Sequence, residues 1–149
     1  MERGEALVPE WSGGVGYQPN KSPEQTNPVV LAYIGDAVYE MLIRQYLISL
    51  PNQKPHHLHK QATKFVSAAA QRQILEQWQP HLSEEEKDVV RRGRNTKSGA
   101  PPKNADVADY RQATALECLV GYLYYKNQME RIMELLAIVL PHEENKLET

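Results

Sequence analysis

Leu31-Ala32-Tyr33-Ile34-Gly35-Asp36-Ala37-Val38-Tyr39-Glu40 is the stretch whose reading decides the fold. Apolar residues recur at Leu31, Ile34, Val38, Met41, Leu42 and Tyr46, a helical spacing. Asn27 can cap this helix, Pro28 suits its first position, and Pro51 ends it. Asp36 is a poor mid-helix residue, and Gly35 beside it costs roughly 1 kcal/mol relative to alanine. A glycine at such a position lets another backbone or a ligand come close.

Working outward, a second helix is expected from about His56 to Trp78, with Leu58, Ala62, Phe65, Val66, Ala69 and Ile74 on its apolar face and Pro80 as its stop. Ser83, with Glu84 and Glu85 behind it and Glu86 in the capping-box position, starts a third that runs to about Arg92. A fourth spans about Asp106 to Lys126, its buried stripe formed by Leu116, Leu119, Val120 and Leu123. A fifth covers about Met129 to Leu140 and stops at Pro141. No stretch alternates at period two, so the expected fold is all-α, with one domain over residues 27–140. Residues 1–26, broken by Pro9, Gly13, Gly14, Gly16, Pro19 and Pro23, read as a flexible N-terminal arm, and residues 141–149 as a frayed C-terminal tail.

Composition narrows the function classes. The 149 residues fit one domain with a real core. No apolar run is long enough to span a bilayer, and the N-terminus lacks a secretory pattern, so no membrane partner is expected. One cysteine, Cys118, allows no internal disulfide and makes a cytoplasmic location the default. A net charge of −2 argues against holding nucleic acid by bulk charge. It leaves room for a local basic patch, because phosphate contacts are short-range in salt.

Two carboxylates stand out. Asp36 lies beside a glycine, and Glu117 shares a helical row with the small residues Ala113, Thr114 and Gly121. Small rows permit close helix crossing, and two acids meeting at a crossing would each resist ionisation. Bound Mg²⁺ removes that cost, and water activated by it can attack a phosphodiester. The bland alternative pairs Asp36 with a lysine or arginine, and Glu117 with Arg111 or Lys126; composition alone favours it. Glu40, one turn after Asp36, is a possible ligand and a better partner for Arg44.

Positive charge is concentrated in the loop 91–104, where Arg91, Arg92, Arg94, Lys97 and Lys103 occur without an acid. Asn95, Ser98 and Asn104 add polar donors suited to phosphate oxygens. The loop has no aromatic residue for stacking on single-stranded bases, so it fits a duplex backbone or groove, or else a solvated loop. Lys60 and Lys64, four apart on one helical face, extend the same kind of surface. His56, His57 and His59 lack a second cluster to complete a zinc site. Cys118 is expected to pack in the core. Tyr33, Tyr39, Tyr122 and Tyr124 either line an interface or complete the core.

These segments resemble the ribonuclease III family. The signature helix is matched by Leu31 to Glu40, centred on Gly35-Asp36-Ala37-Val38, and the second acidic helix by Ala115-Leu116-Glu117-Cys118-Leu119-Val120-Gly121-Tyr122-Leu123-Tyr124. Leu58-His59-Lys60, Phe65-Val66-Ser67-Ala68, Arg91-Arg92-Gly93-Arg94-Asn95, Lys97-Ser98-Gly99 and Pro102-Lys103-Asn104 resemble the Mini-III branch. The resemblance spans roughly residues 27 to 140.

It implies the all-helical ribonuclease III catalytic fold, here without a double-stranded RNA-binding domain. It implies a two-fold homodimer whose groove accepts double-stranded RNA. Each subunit cuts one strand, leaving 5′-phosphate and 3′-hydroxyl ends with a short 3′ overhang. Asp36 and Glu117 fall on catalytic, metal-binding positions for Mg²⁺, with Mn²⁺ as a substitute. Mini-III members mature the ends of 23S ribosomal RNA precursors. Two further acids of the larger enzymes are replaced here by Ala32 and Thr114, which lowers the number of protein ligands for metal. That loss motivates a second hypothesis, a ribonuclease III-like protein that binds structured RNA without cutting it. A helical interaction module without an RNA role would leave Gly35-Asp36, Glu117 and the basic loop unexplained.

Overall fold

The computed structural model describes residues 8–11, 14–96 and 101–141. Six helices follow in order: α1 (Pro28–Ile48), α2 (Pro55–Val66), α3 (Ala68–Trp78), α4 (Glu84–Asn95), α5 (Val107–Tyr125) and α6 (Met129–Val139). The fold is all-α, as the periodicity indicates. Among the described residues no helix is long and apolar enough to cross a membrane.

α5 is the axis of the fold and packs against α1, α3, α4 and α6. The residue pattern explains this. Residues 113–116 and 118–123 are buried, so along the middle of α5 Glu117 alone keeps partial exposure, and a helix apolar nearly all round belongs in the interior. Leu116, Leu119, Val120 and Leu123 meet Tyr39 and Ile43 of α1, Leu75 and Trp78 of α3, and Val89 and Val90 of α4 in one core.

The helix starts are chemical. The Asn27 side chain accepts from the Val29 amide, and Pro28 occupies the first helical position of α1. Ser83 and Glu86 form the expected capping box at α4. Glu86, only 6% exposed, also accepts two hydrogen bonds from Arg131 of α6, at 2.8 and 2.9 Å. The same arginine donates to the His81 carbonyl at 2.7 Å, which ties the start of α4 to α6.

The second expected helix is two. The chain leaves helical geometry at Ser67 (φ −67°, ψ 154°), whose side chain caps α3 by accepting from the Ala70 amide at 3.2 Å. The break frees the Phe65 carbonyl, and the Tyr39 hydroxyl donates to it at 2.6 Å. It also changes the helical phase. Ala69, expected on the apolar face, is exposed, while Gln71, Ile74, Leu75 and Trp78 point inward. Met41 of α1 likewise lies outside the core, at 44% exposure.

α4 continues to Asn95, three residues beyond its expected end. Gly93 permits this: a Cβ there would lie 2.8 Å from Cys118 Cβ, so α4 and α5 touch closely at that point. Before α1, Val15 is 1% exposed, Tyr124 donates to the Gly14 carbonyl, and Lys126 donates to Glu24 at 2.6 Å. Those anchors escape a pattern search because their partners lie about a hundred residues away.

Candidate active site

The site is built at the crossing of α1 and α5, where two glycines face each other's helix. A Cβ on Gly35 would lie 1.7 Å from the Glu117 carbonyl oxygen, and a Cβ on Gly121 would lie 2.0 Å from the Leu31 carbonyl oxygen. Only glycine lets the two backbones approach this closely. The residue after Gly35 is Asp36, and the residue whose backbone Gly35 touches is Glu117. Backbone contact therefore brings the two acids together, close enough for the Asp36 charge to bear on Glu117.

Their environments differ. Asp36 is exposed and Glu117 half-buried. Burial comes first, and the Asp36 charge second, in pushing the Glu117 carboxyl up to about 8; Glu40 adds a smaller push in the same direction. Gln71 of α3 opposes the rise by donating from Nε2 to Glu117 Oε2 at 3.3 Å. Burial and the Glu117 charge also raise the Tyr39 phenol.

The bland pairings do not form. Among the described residues no lysine or arginine pairs with Asp36 or Glu117. Lys126 turns instead to Glu24 at 2.6 Å and Glu85 at 3.8 Å. Glu40 takes Arg44 at 3.2 Å, as its spacing suggests. Cys118 is buried, and burial pushes its thiol up to about 12, so it packs in the core as expected.

The donor set suits a hard divalent cation. Two carboxylates share a partly dry site with no side-chain cation paired to them among the described residues, the condition a divalent ion relieves. Among the described residues no group of three or more His, Cys, Asp or Glu side chains stands ready for a metal. At the two replaced positions, Ala32 carries no ligand atom, and Thr114 spends its hydroxyl on the Tyr110 carbonyl at 3.0 Å. Mg²⁺ keeps several waters, so two protein ligands fit it.

The basic residues are distributed differently from the expected loop. Arg91, Arg92, Arg94 and Asn95 stand on the last turns of α4. Arg91 and Arg92 both pair with Asp88, the latter at 3.1 Å, a neighbour outside the 91–104 window. Lys103 and Asn104 are exposed. Asn104 has a positive φ of 70° and sits in a turn closed by the Ala105 amide on the Pro102 carbonyl at 3.0 Å, a conformation asparagine tolerates. Lys60 and Lys64 are exposed on α2. Lys97 and Ser98 lie outside the described residues.

Of the four tyrosines singled out, Tyr39 and Tyr122 are core, at 0% and 1% exposure, and Tyr33 projects into solvent at 83%. Tyr124 is half-buried against the segment before α1. Sequence reasoning missed Gln71 and Asp88. The first lies beyond a helix break that periodicity does not show. The second is detectable by its i,i+3 and i,i+4 spacing to the arginines.

This arrangement defines a class of protein. Residues 29–128 match the family model for the ribonuclease III domain, and the chain belongs to the ribonuclease III family. Its relatives are of the Mini-ribonuclease 3 type. Mini-ribonuclease 3 of Brevibacillus brevis is 52% identical over 115 residues, covering 77% of this chain and 86% of the relative. Mini-ribonuclease 3 of Clostridium tetani is 49% identical over 118 residues, covering 78% of each. A crystal structure of a Fusobacterium nucleatum protein superposes with a TM-score of 0.71 at 31% identity, covering 80% of this chain and 96% of that one.

Proposed function

We propose that this chain is a cytoplasmic, metal-dependent endoribonuclease that cuts double-stranded RNA and matures the ends of 23S ribosomal RNA precursors. The observation that carries the reading is the meeting of Asp36 and Glu117 at a glycine-built helix crossing, with no lysine or arginine paired to either among the described residues. The Mini-ribonuclease 3 name of the relatives supports the same class. Bound Mg²⁺, or Mn²⁺ in its place, supplies an activated water and steadies the charge that develops on the phosphate.

The chain's own residues do the rest. Asp36, exposed, offers its carboxylate from the solvent side, and Glu117 offers its own from the half-buried side. Arg91, Arg92, Arg94, Asn95, Lys97, Ser98, Lys103 and Asn104, with Lys60 and Lys64, hold the duplex through its phosphates. The products carry 5′-phosphate and 3′-hydroxyl ends.

A homodimer completes the reading. Val30, Tyr33 and Met41 are 53%, 83% and 44% exposed on α1, and their spacing puts them on one stripe with Ala37. Exposed apolar stripes of this kind mark protein contacts. The stripe flanks Asp36, so a second copy seated there would lie beside the site.

The test is cleavage of long duplex RNA with Mg²⁺ by the wild type, Asp36→Asn and Glu117→Gln. The wild type cuts, and both variants lose cutting while still shifting duplex RNA in Ca²⁺. Full activity in either variant refutes the assignment. A wild type that binds duplex RNA and never cuts it favours the binding-protein alternative.

A further inference from the structure

We infer that Gln71 is a positioning residue for the active site: its buried side-chain amide fixes the Glu117 carboxylate in the orientation that receives the divalent cation. The inference rests on the reading of Glu117 as a metal ligand and adds a residue to it.

Four polar side chains are buried among the described residues: Thr26, Gln71, Glu86 and Thr114. Three of them serve the scaffold. The Thr26 hydroxyl donates to the Ser22 carbonyl at 2.8 Å, that of Thr114 to the Tyr110 carbonyl at 3.0 Å, and Glu86 is held by Arg131. Gln71, at 2% exposure, instead reaches across from α3 to an acid of the site, at 3.3 Å.

Burying an amide is costly, and leucine or methionine would fill a similar volume without that cost. A carboxylate only accepts, so the amide nitrogen faces Glu117. One such bond fixes the plane of the carboxylate and leaves lone pairs on both oxygens for a cation. Being neutral, the amide orients the acid without competing with a metal for its charge, as a lysine or arginine would.

The fold places this donor deliberately. Gln71 is in the first turn of α3, its backbone N–H donating to the Ser67 carbonyl at 2.9 Å. Ser67 sets where that turn begins, and the Tyr39 hydroxyl secures the Phe65 carbonyl that the break exposes. A continuous helix through residue 67 would aim Gln71 elsewhere. The groups that orient a ligand's free atoms change metal affinity by roughly 10–100-fold when removed.

Gln71→Leu and Gln71→Met test this, the second keeping the unbranched shape. Mn²⁺ affinity, measured by calorimetry on the protein without RNA, is expected to fall about 10–100-fold in both. The Mg²⁺ concentration for half-maximal cleavage rises by a similar factor, and cleavage recovers at saturating Mg²⁺. Melting temperature in EDTA falls at most slightly, because the lost hydrogen bond to a half-buried acid is offset by replacing a buried amide with hydrocarbon. A merely structural role would lower that temperature and leave Mn²⁺ affinity unchanged.

Glu117→Gln is run alongside. If it loses Mn²⁺ while both Gln71 variants bind it within about twofold of wild type, the role of Gln71 is overturned and the metal reading of Glu117 stands. If Glu117→Gln itself binds Mn²⁺ like the wild type, the metal reading fails and takes this inference with it.

Discussion

Gly35 has no room for a side chain because the Glu117 carbonyl oxygen would lie 1.7 Å from its Cβ. That oxygen belongs to the α5 backbone and cannot rotate away, unlike the end of a flexible side chain. Gly35→Ala must push α1 and α5 apart, and Gly121→Ala must do so from the other helix. Each is expected to destabilise by more than the roughly 1–3 kcal/mol of ordinary overpacking, read from urea unfolding. Unchanged unfolding midpoints in both variants would contradict the crossing.

The raised Glu117 carboxyl makes the metal-free protein less stable as pH rises. Its ordinary value is 4.5 and the folded site pushes it up to about 8. Below about 4.5 the acid is protonated in folded and unfolded chains alike, and it carries no penalty. Between 4.5 and 8 the unfolded chain releases a proton that the folded chain retains, so stability falls with rising pH. Melting curves in EDTA across that window should show wild type losing ground to Glu117→Gln, and Mg²⁺ should recover the loss at the upper end. Parallel curves for the two proteins would mean Glu117 is not desolvated.

Asp88 restrains the positive charge that Arg91 and Arg92 bring to the end of α4. Asp88→Asn frees both guanidinium groups. Each exposed pair is worth roughly 0.2–1 kcal/mol, so duplex RNA affinity in Ca²⁺ should rise about twofold to fivefold and fall more steeply with salt. Alanines at Arg91, Arg92 and Arg94 should do the reverse, flattening the salt slope by about one per lost phosphate contact. A gel shift that ignores all these changes would put the RNA on another surface.

Tyr33, 83% exposed among Val30 and Met41, is the residue on which a second copy would close. Tyr33→Arg is expected to leave the helical content intact and to give the mass of one chain at concentrations where the wild type has the mass of two. A wild type that is monomeric at micromolar concentration removes the dimer.

Much of this fold is legible in the sequence because its signals are local. Asn27-Pro28 and the Ser83–Glu86 box fix helix starts through contacts no more than three residues long, and the apolar row of α5 announces a buried helix. The break at Ser67 is not legible. Phe65 and Ala69 keep a helical period, and serine ends a helix only when something donates to the freed carbonyl, here the Tyr39 hydroxyl from 26 residues away. The candidate site divides the same way. Gly35-Asp36 and Glu117-Gly121 are visible as unusual pairs, whereas Gln71 reads as an ordinary helical polar residue until its burial is known.

The sequence by itself determined that the chain is helical, where five of the six described helices begin, and which two acids are out of place on apolar helices. Those are consequences of spacing, capping and propensity, which act within a few residues. Only the tertiary structure decided that the two acids face each other, that Gln71 holds one of them, and that Asp88 restrains the arginines nearest the expected loop. Such pairings depend on how close two backbones can come and on which way a broken helix turns, and neither is written in a local pattern.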